Sequence, residues 1–394
     1  MQNKTIAVYA DVTERYKFFK RMVDPAKELG YKILVVTAKY SIAKKAEKDG
    51  IEVITLKEKK DSDTPFLKIN SLSVINNYHT SKEANHLYHR VYNTLSSQNK
   101  KIDVFFIWNG TTTIAMAIAK YCNDNNIKTV FLEISNIDNK LFADKKGTSS
   151  RSLLYSNPEI LKNYSPKGKS LEYYKSVLGK KGAPKQVKNV ANIEMSQLLD
   201  FYGFYFKEFL REDKRNPLKV IAAKIFLKIK PKVAKEGKKK YKEYIFLPLQ
   251  VSNDSQLRLD NNPSNFDAIK KARVLAKEKK LDLVIKIHPA EPNINFIKSI
   301  ESLVKESKDI YLTKDNTKDL IEKAEIVVTI NSTVGLESLI LEKETAILGK
   351  AIYKHFDTKE KLLAFLNGYL IEIDFFDTKT IKKENLQKVL KRGD

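Results

Sequence analysis

The stretch Ile326–Gly349, IVVTINSTVGLESLILEKETAILG, decides the fold. An apolar run, Ile326–Ile330, reads as a buried strand and gives way to a polar turn, Asn331-Ser332-Thr333. A helix is expected from near Val334 and Gly335, carrying Glu337 on its first turns, and a second apolar strand follows at Thr345–Leu348. Strand, polar turn and helix in this order put unpaired backbone N–H groups and the positive end of a helix dipole at the carboxyl edge of a sheet. That is an anion site suited to a phosphate. Thr333 and Glu337 stand four apart and so share a helical face, where one can reach a phosphate and the other a neighbouring hydroxyl. In isolation the same residues also suit a plain helix start, with Ser332 as the cap and Glu337 in solvent.

Working outward, strand and helix patterns alternate on both sides. Before the decisive stretch come strands at Tyr244–Leu249, Asp282–Ile287 and Ile310–Leu312, with helices at Asn265–Lys279, Asn293–Ser307 and Thr317–Lys323. The first half has the same rhythm: strands Thr5–Ala10, Tyr31–Ala38, Ile51–Leu56, Ile102–Trp108 and Lys128–Ile134, with helices after Thr13, at Ser41–Asp49, at Ser81–Ser97 and at Thr112–Asn125. Such alternation implies parallel, doubly wound sheets. With 394 residues two domains are expected. The fold class is therefore α/β, two facing Rossmann-like domains with a C-terminal helical tail. The expected segments are an N-terminal Rossmann-like domain over 1–205, a basic amphipathic linker over 206–243, a C-terminal Rossmann-like nucleotide domain over 244–350, and a tail over 351–394 packing back toward the first domain. The first strand lacks a following G-x-G-x-x-G, which argues against dinucleotide binding. The polar run 136–184 is too long for an idle connection and reads as a functional loop.

Composition narrows the partners. Seventy-two Lys and Arg against 48 Asp and Glu give a net charge of +24, which favours an anionic partner. Residues 207–243 hold fourteen basic and five acidic residues, net +9, with Leu218, Ile221, Ala222, Ile225 and Ile229 at helical intervals. A basic amphipathic segment of this kind suits an anionic membrane surface, or else packs its apolar stripe on its own protein. It lacks the interleaved aromatics of an RNA-binding segment, so no nucleic-acid partner is expected. A single cysteine, Cys122, excludes an internal disulfide framework and reads as a buried apolar residue. No run is long enough to span a bilayer and the start carries no signal pattern, so the expected location is the cytoplasm, at most peripheral on the inner face of the membrane. Asp61-Ser62-Asp63 is formally a D-x-D but lies among lysines and reads as a surface turn.

Ligands in open parallel sheets bind beyond the carboxyl ends of the strands. Three polar groups of the second half fall there: Gln250 with VSNDSQ after one strand, His288-Pro289 after the next, and Ser332-Thr333 after Ile326–Ile330. A strand-ending imidazole can donate to a phosphate oxygen. His79, His86, His89 and His355 show no zinc-site spacing and read as structural or surface groups.

IFLPLQVSNDSQ, IKIHP and INSTVGLESLILEKETAILG, in that order, resemble the capsule polysaccharide synthesis proteins that act as retaining β-Kdo glycosyltransferases, over roughly residues 245–350. The resemblance implies a GT-B fold and a CMP-Kdo donor, with no cofactor and no metal. It implies that His288, Pro289, Asn331, Ser332 and Thr333 hold the CMP phosphate and that Glu337 binds the ribose. Gln250, Asp254, Ser255 and Gln256 would line the cleft. FLEISNIDNKLFADKKGTSS looks like a degenerate form of the family's Glu-Asn-Gly … Asp-x-x-Gly-x-Asn segment: Glu133, Asp144 and Gly147 match, while Ile134, Ser135 and Ser149 replace Asn, Gly and Asn. A retaining transfer needs a nucleophilic carboxylate and an acid/base group. Asp144 is the expected nucleophile, and Glu133 the acid/base or acceptor-orienting group. The expected partners are CMP-Kdo or a similar nucleotide sugar, a saccharide or lipid-linked acceptor, and an anionic membrane surface. Two other readings stand beside this one: a CDP-glycerol-type polyol phosphotransferase, and a non-enzymatic basic adaptor for membranes or acidic polymers. The phosphotransferases usually carry an acidic residue where Asn331 stands.

Overall fold

The computed structural model describes residues 4–58, 65–135, 137–178, 195–212, 241–252, 257–258 and 260–394. Asp61–Asp63, Asp254, Ser255, Gln256, most of the basic linker and the start of the helical pattern that the sequence carries from Val187 to about Arg211 lie outside them. The described residues form two compact units, one from 4–160, 195–212 and 368–394, the other from 161–178 and 241–367. The second unit thus includes 161–178, which the sequential division had placed with the first.

The first unit is built on strands β1 (Lys4–Tyr9), β2 (Tyr31–Thr37), β3 (Glu52–Thr55), β4 (Val104–Trp108), β5 (Lys128–Ile134) and β6 (Leu141–Asp144). They lie in the order β3-β2-β1-β4-β5-β6, parallel throughout except for β6. β4, VFFIW, is buried at every position, the unbroken apolar run of a strand covered on both faces. β6 runs antiparallel to β5, pairing Phe131 with Asp144 and Ile134 with Leu141. It falls in the run expected to be a loop. Its four residues carry no periodicity of their own, and an isolated bridge from Leu141 to Ile371 helps to hold it.

Residues 368–394 belong to this first unit. Ile373, Ile381, Leu386 and Val389 enter the same buried cluster as Val8, Phe18 and Val35. Each such side chain contributes about 1.5–3 kcal/mol of burial. Arg21 hydrogen-bonds the Lys379 and Asp374 carbonyls at 2.6 and 2.8 Å, and Lys128 pairs with Asp394.

The second unit carries β7 (Tyr244–Pro248), β8 (Asp282–Lys286), β9 (Ile310–Leu312), β10 (Ile326–Thr329) and β11 (Glu344–Ile347), all parallel, in the order β11-β10-β7-β8-β9. Its helices begin with strong caps. Ser264 and Asp267 form a reciprocal capping box on the Asn265–Lys279 helix, and Asn293 caps the Ile294–Lys305 helix.

The two sheets share a topology. In each, the first strand sits inside the sheet, the next two strands build outward on one side, and the fourth returns to the other side of the first. β4 and β10 are therefore equivalent, and so are the helices that follow them, Thr113–Asp124 and Thr333–Ile340. The order in which strands are added reverses between β1 and β4 in one sheet and between β7 and β10 in the other. Those are the switch points where such sheets bind ligands.

Candidate active site

The second unit's switch point is assembled from the ends of β7, β10 and β8. Beyond β7, the buried Gln250 is held by Asn265, whose amide donates to the Gln250 carbonyl at 2.7 Å and accepts from its N–H at 3.2 Å. The Gln250 side chain then accepts from the Asn331 N–H at 3.3 Å. One residue thereby ties two strand ends together and fixes the turn after β10. Gln250, 6% exposed, positions that turn.

The turn itself is a cap with donors to spare. Ser332 Oγ accepts from the Val334 N–H at 3.3 Å, and the Ser332 carbonyl accepts from the Gly335 N–H at 3.0 Å and from the Tyr353 hydroxyl. The capping role is real, yet it uses only acceptor capacity, so the Ser332 hydroxyl proton can still be given to a ligand. Thr333, the first helical residue, is exposed. Gly335 has a steric reason to be glycine: a Cβ there would lie 2.5 Å from Tyr353 Cε2 and 2.6 Å from its hydroxyl. The buried Tyr353 packs where a side chain would go and braces the turn from behind.

Glu337 lies one turn further along, half-buried. Burial pushes its carboxyl above the usual range. Among the described residues no positive partner offsets that cost, and Tyr353, itself raised by burial, feels the Glu337 charge. A desolvated carboxylate with no positive partner among the described residues, beside a helix start, suits a group that accepts from a hydroxyl donor.

His288 lies beyond β8, two strand spacings from β10, or about 10 Å. It is exposed, and its Nδ1 accepts from the Ala290 N–H at 3.1 Å. A ring nitrogen that accepts is unprotonated, so this bond selects the neutral tautomer with its proton on Nε2. Pro289 is exposed and shapes the turn.

Two residues of this edge escaped the sequence reading. Glu291, 1% exposed, accepts from the Ser252 N–H and hydroxyl at 2.7 Å each and from the Asn293 N–H at 2.8 Å. It clamps the start of the loop after β7 onto the loop after β8. Lys286, its ammonium pKa lowered by burial, donates to the Asp315 carbonyl at 2.6 Å and to Thr317 Oγ1 at 2.9 Å. The only sequence hint was their closeness to His288.

The first unit provides an internal comparison. At the equivalent start of the Thr113–Asp124 helix, Glu212 accepts from the Thr113 and Ile114 N–H groups at 2.8 and 2.9 Å, and from the Ser73 hydroxyl. There the protein's own carboxylate fills the anion position. No carboxylate of the described residues does so at Thr333–Ile340.

The expected catalytic pair fares unevenly. Asp144 is 2% exposed. Its Oδ1 accepts from the N–H groups of Lys146, Gly147 and Leu153 at 2.8, 3.3 and 2.9 Å, and its Oδ2 from the Leu154 N–H at 3.2 Å and the Tyr369 hydroxyl at 2.8 Å. Five donors around one buried carboxylate make it an anchor for the 145–156 loop and the C-terminal segment, and attack on a sugar would require some of these bonds to open. Glu133 is half-buried near the end of β5, with the Ser149 hydroxyl donating to it at 3.4 Å. Ser149 adopts φ +52°, a left-handed conformation that asparagine tolerates better than serine, and this is where Ser replaces the expected Asn. Cys122 is buried with its thiol pushed up to about 12, an inert core residue as expected.

Comparison with known proteins bears on this geometry. Residues 139–357 match the family model described as "Capsule polysaccharide biosynthesis protein". Protein FixF of Sinorhizobium fredii is 34% identical over 116 residues, 28% of this chain and 27% of that protein. The capsule polysaccharide export protein KpsS of Escherichia coli is 33% identical over 124 residues, 28% of this chain and 31% of that protein. The aligned stretches thus span less than a third of those relatives. Among solved structures, the β-Kdo 2,7 transferase of Thermosulfurimonas dismutans KpsC superposes over 99% of this chain and 100% of that one, at 14% identity and a TM-score of 0.43. The family model covers more than half of the chain, including the end of β10, the helix after it and His288, and the chain belongs to the capsule polysaccharide biosynthesis family.

Proposed function

We propose that the chain is a GT-B glycosyltransferase that takes Kdo, or a related 2-keto sugar acid, from its CMP-activated form to a capsule or lipid-linked acceptor, with retention. The observation that carries this reading is the contrast between the two equivalent helix starts. One is filled by Glu212, and at the other, with Ser332, Thr333 and Glu337, no carboxylate of the described residues takes that place. The second site suits one phosphate flanked by one sugar. The helix N-terminus and the hydroxyls of Ser332 and Thr333 meet the phosphate, and Glu337 accepts from a ribose hydroxyl. His288, with its proton on Nε2, donates to an oxygen whose charge grows as the glycosyl bond breaks. These donors are in place before reaction, so leaving-group departure needs little reorganisation.

We assign Glu133 to acid/base or acceptor-orienting work, and Asp144, which holds its loop in this structure, to the nucleophile that retention requires. Calorimetric titration tests the donor assignment. CMP should bind more tightly than UDP or CDP-glycerol, and His288→Ala should weaken CMP while leaving the melting temperature unchanged. Equal affinities for all three nucleotides, or none, would reject the CMP reading. Transfer from CMP-Kdo to synthetic acceptors, with the anomeric configuration read by NMR, tests retention.

A further inference from the structure

We propose that the outer face of the Met195–Lys207 helix is a docking surface for an anionic lipid bilayer. The helix, MSQLLDFYGFYFK, is mounted the reverse of an ordinary surface helix. Its small and polar side faces the protein. The Ser41 N–H donates to Asp200 at 2.9 Å, and Gly203 sits so close to Tyr40 that a Cβ would approach Tyr40 Cβ to 2.2 Å. The outward side carries Met195, Leu198, Phe201, Tyr202, Tyr205 and Phe206, between 40% and 70% exposed. At 100° per residue these six fall within an arc of about 140°, and no charged residue interrupts it. Phe201 lies tilted against Tyr205 with ring centroids 4.4 Å apart, and Tyr202 stacks on Phe206 at 5.4 Å, so the face is a pre-ordered aromatic ridge.

Tyrosine and phenylalanine on an uncharged face suit the boundary between headgroups and acyl chains. Charge selects the occupant. Lys207 and Arg211 flank the ridge, each over one of the helix's own rings at 5.8 and 4.7 Å. The chain as a whole is at +24, and residues 207–243 alone carry +9 in sequence. A second copy of so basic a chain would be repelled, whereas an anionic surface is attracted. Among the described residues no helix is long and apolar enough to cross a membrane, so the ridge would lie in the interface.

The test is flotation of the full chain with vesicles of phosphatidylcholine and phosphatidylglycerol, against phosphatidylcholine alone. The expected result is binding to the anionic vesicles that weakens with salt and falls at least tenfold in the triple variant F201S/Y205S/F206S, with an unchanged melting temperature. The chain has one tryptophan, the buried Trp108, so Phe206→Trp adds a surface reporter whose emission should shift to the blue and be quenched by brominated lipid. Four results would each overturn the proposal: no binding to anionic vesicles, equal binding by the triple variant, a triple variant that halves the solution mass, or a Phe206→Trp reporter already blue-shifted without lipid. The third would assign the face to a second copy, and the fourth to the chain's own segments.

Discussion

Replacing Glu337 with glutamine should move stability and affinity in opposite directions, and the signs follow from its surroundings. Its folded carboxyl is raised by burial. Below about pH 4, the ordinary glutamate range, the group is protonated in both states and contributes nothing to pH-dependent stability. As pH climbs through the raised folded value, the unfolded chain ionises more readily, and the wild type loses stability. Glu337→Gln keeps the shape and removes that loss. The variant should gain on the order of 1 kcal/mol near neutral pH, or roughly 2–4 °C in a unit of this size, and the gain should fade toward pH 4. The same change removes a charged acceptor from the position we propose for the ribose. A hydrogen bond to a charged group contributes about 1.5–3 kcal/mol, so CMP should bind roughly 10- to 150-fold more weakly. Scanning calorimetry at several pH values, paired with CMP titration, reads both quantities on one preparation. A variant that is less stable at neutral pH, or one with wild-type CMP affinity, would refute the role given to Glu337.

Three further substitutions probe the frame. Gly335→Ala should destabilise the second unit by about 1–3 kcal/mol, because overpacking against Tyr353 and loss of its bond to Ser332 outweigh the helix propensity of alanine; a rise in urea midpoint would mean the close contact is absent. Asp144→Asn turns an amide NH₂ toward backbone N–H donors and should cost on the order of 3 kcal/mol with CMP affinity intact. A stable but transfer-dead Asp144→Asn would support Asp144 as the nucleophile, and retained transfer would move the nucleophile elsewhere. Glu212→Ala should cost the first unit about 3 kcal/mol, part of it recovered by sulfate at the vacated helix start; an unchanged melting curve would remove the comparison between the two helices.

Much of the fold was legible because buried parallel strands announce themselves as short apolar runs. VFFIW and IVVT need no partner to be recognised. β6 was not legible, since Leu141–Asp144 is a strand only through β5 and through Ile371, far along the chain. The candidate site follows the same division. Ser332, Thr333, Glu337 and His288 are marked by local grammar, a polar residue where an apolar strand stops. Glu291 and Glu212 act on partners 39 and 98–139 residues away, and nothing local distinguishes them from surface glutamates. Asp144 shows the sharper limit: a buried carboxylate in a loop looks the same in sequence whether it attacks a substrate or ties down five donors.

The central claim is that a nucleoside monophosphate sits at the β7/β10 edge of the second unit. Hydrogen exchange with and without saturating CMP tests it most directly, since the backbone donors in question are the ones exchanging. Slowed exchange should appear in peptides containing 331–337 and 288–291, with the Thr113–Asp124 helix start unaffected. Protection confined to the first unit, or no change at 331–337 under saturation, would contradict the account.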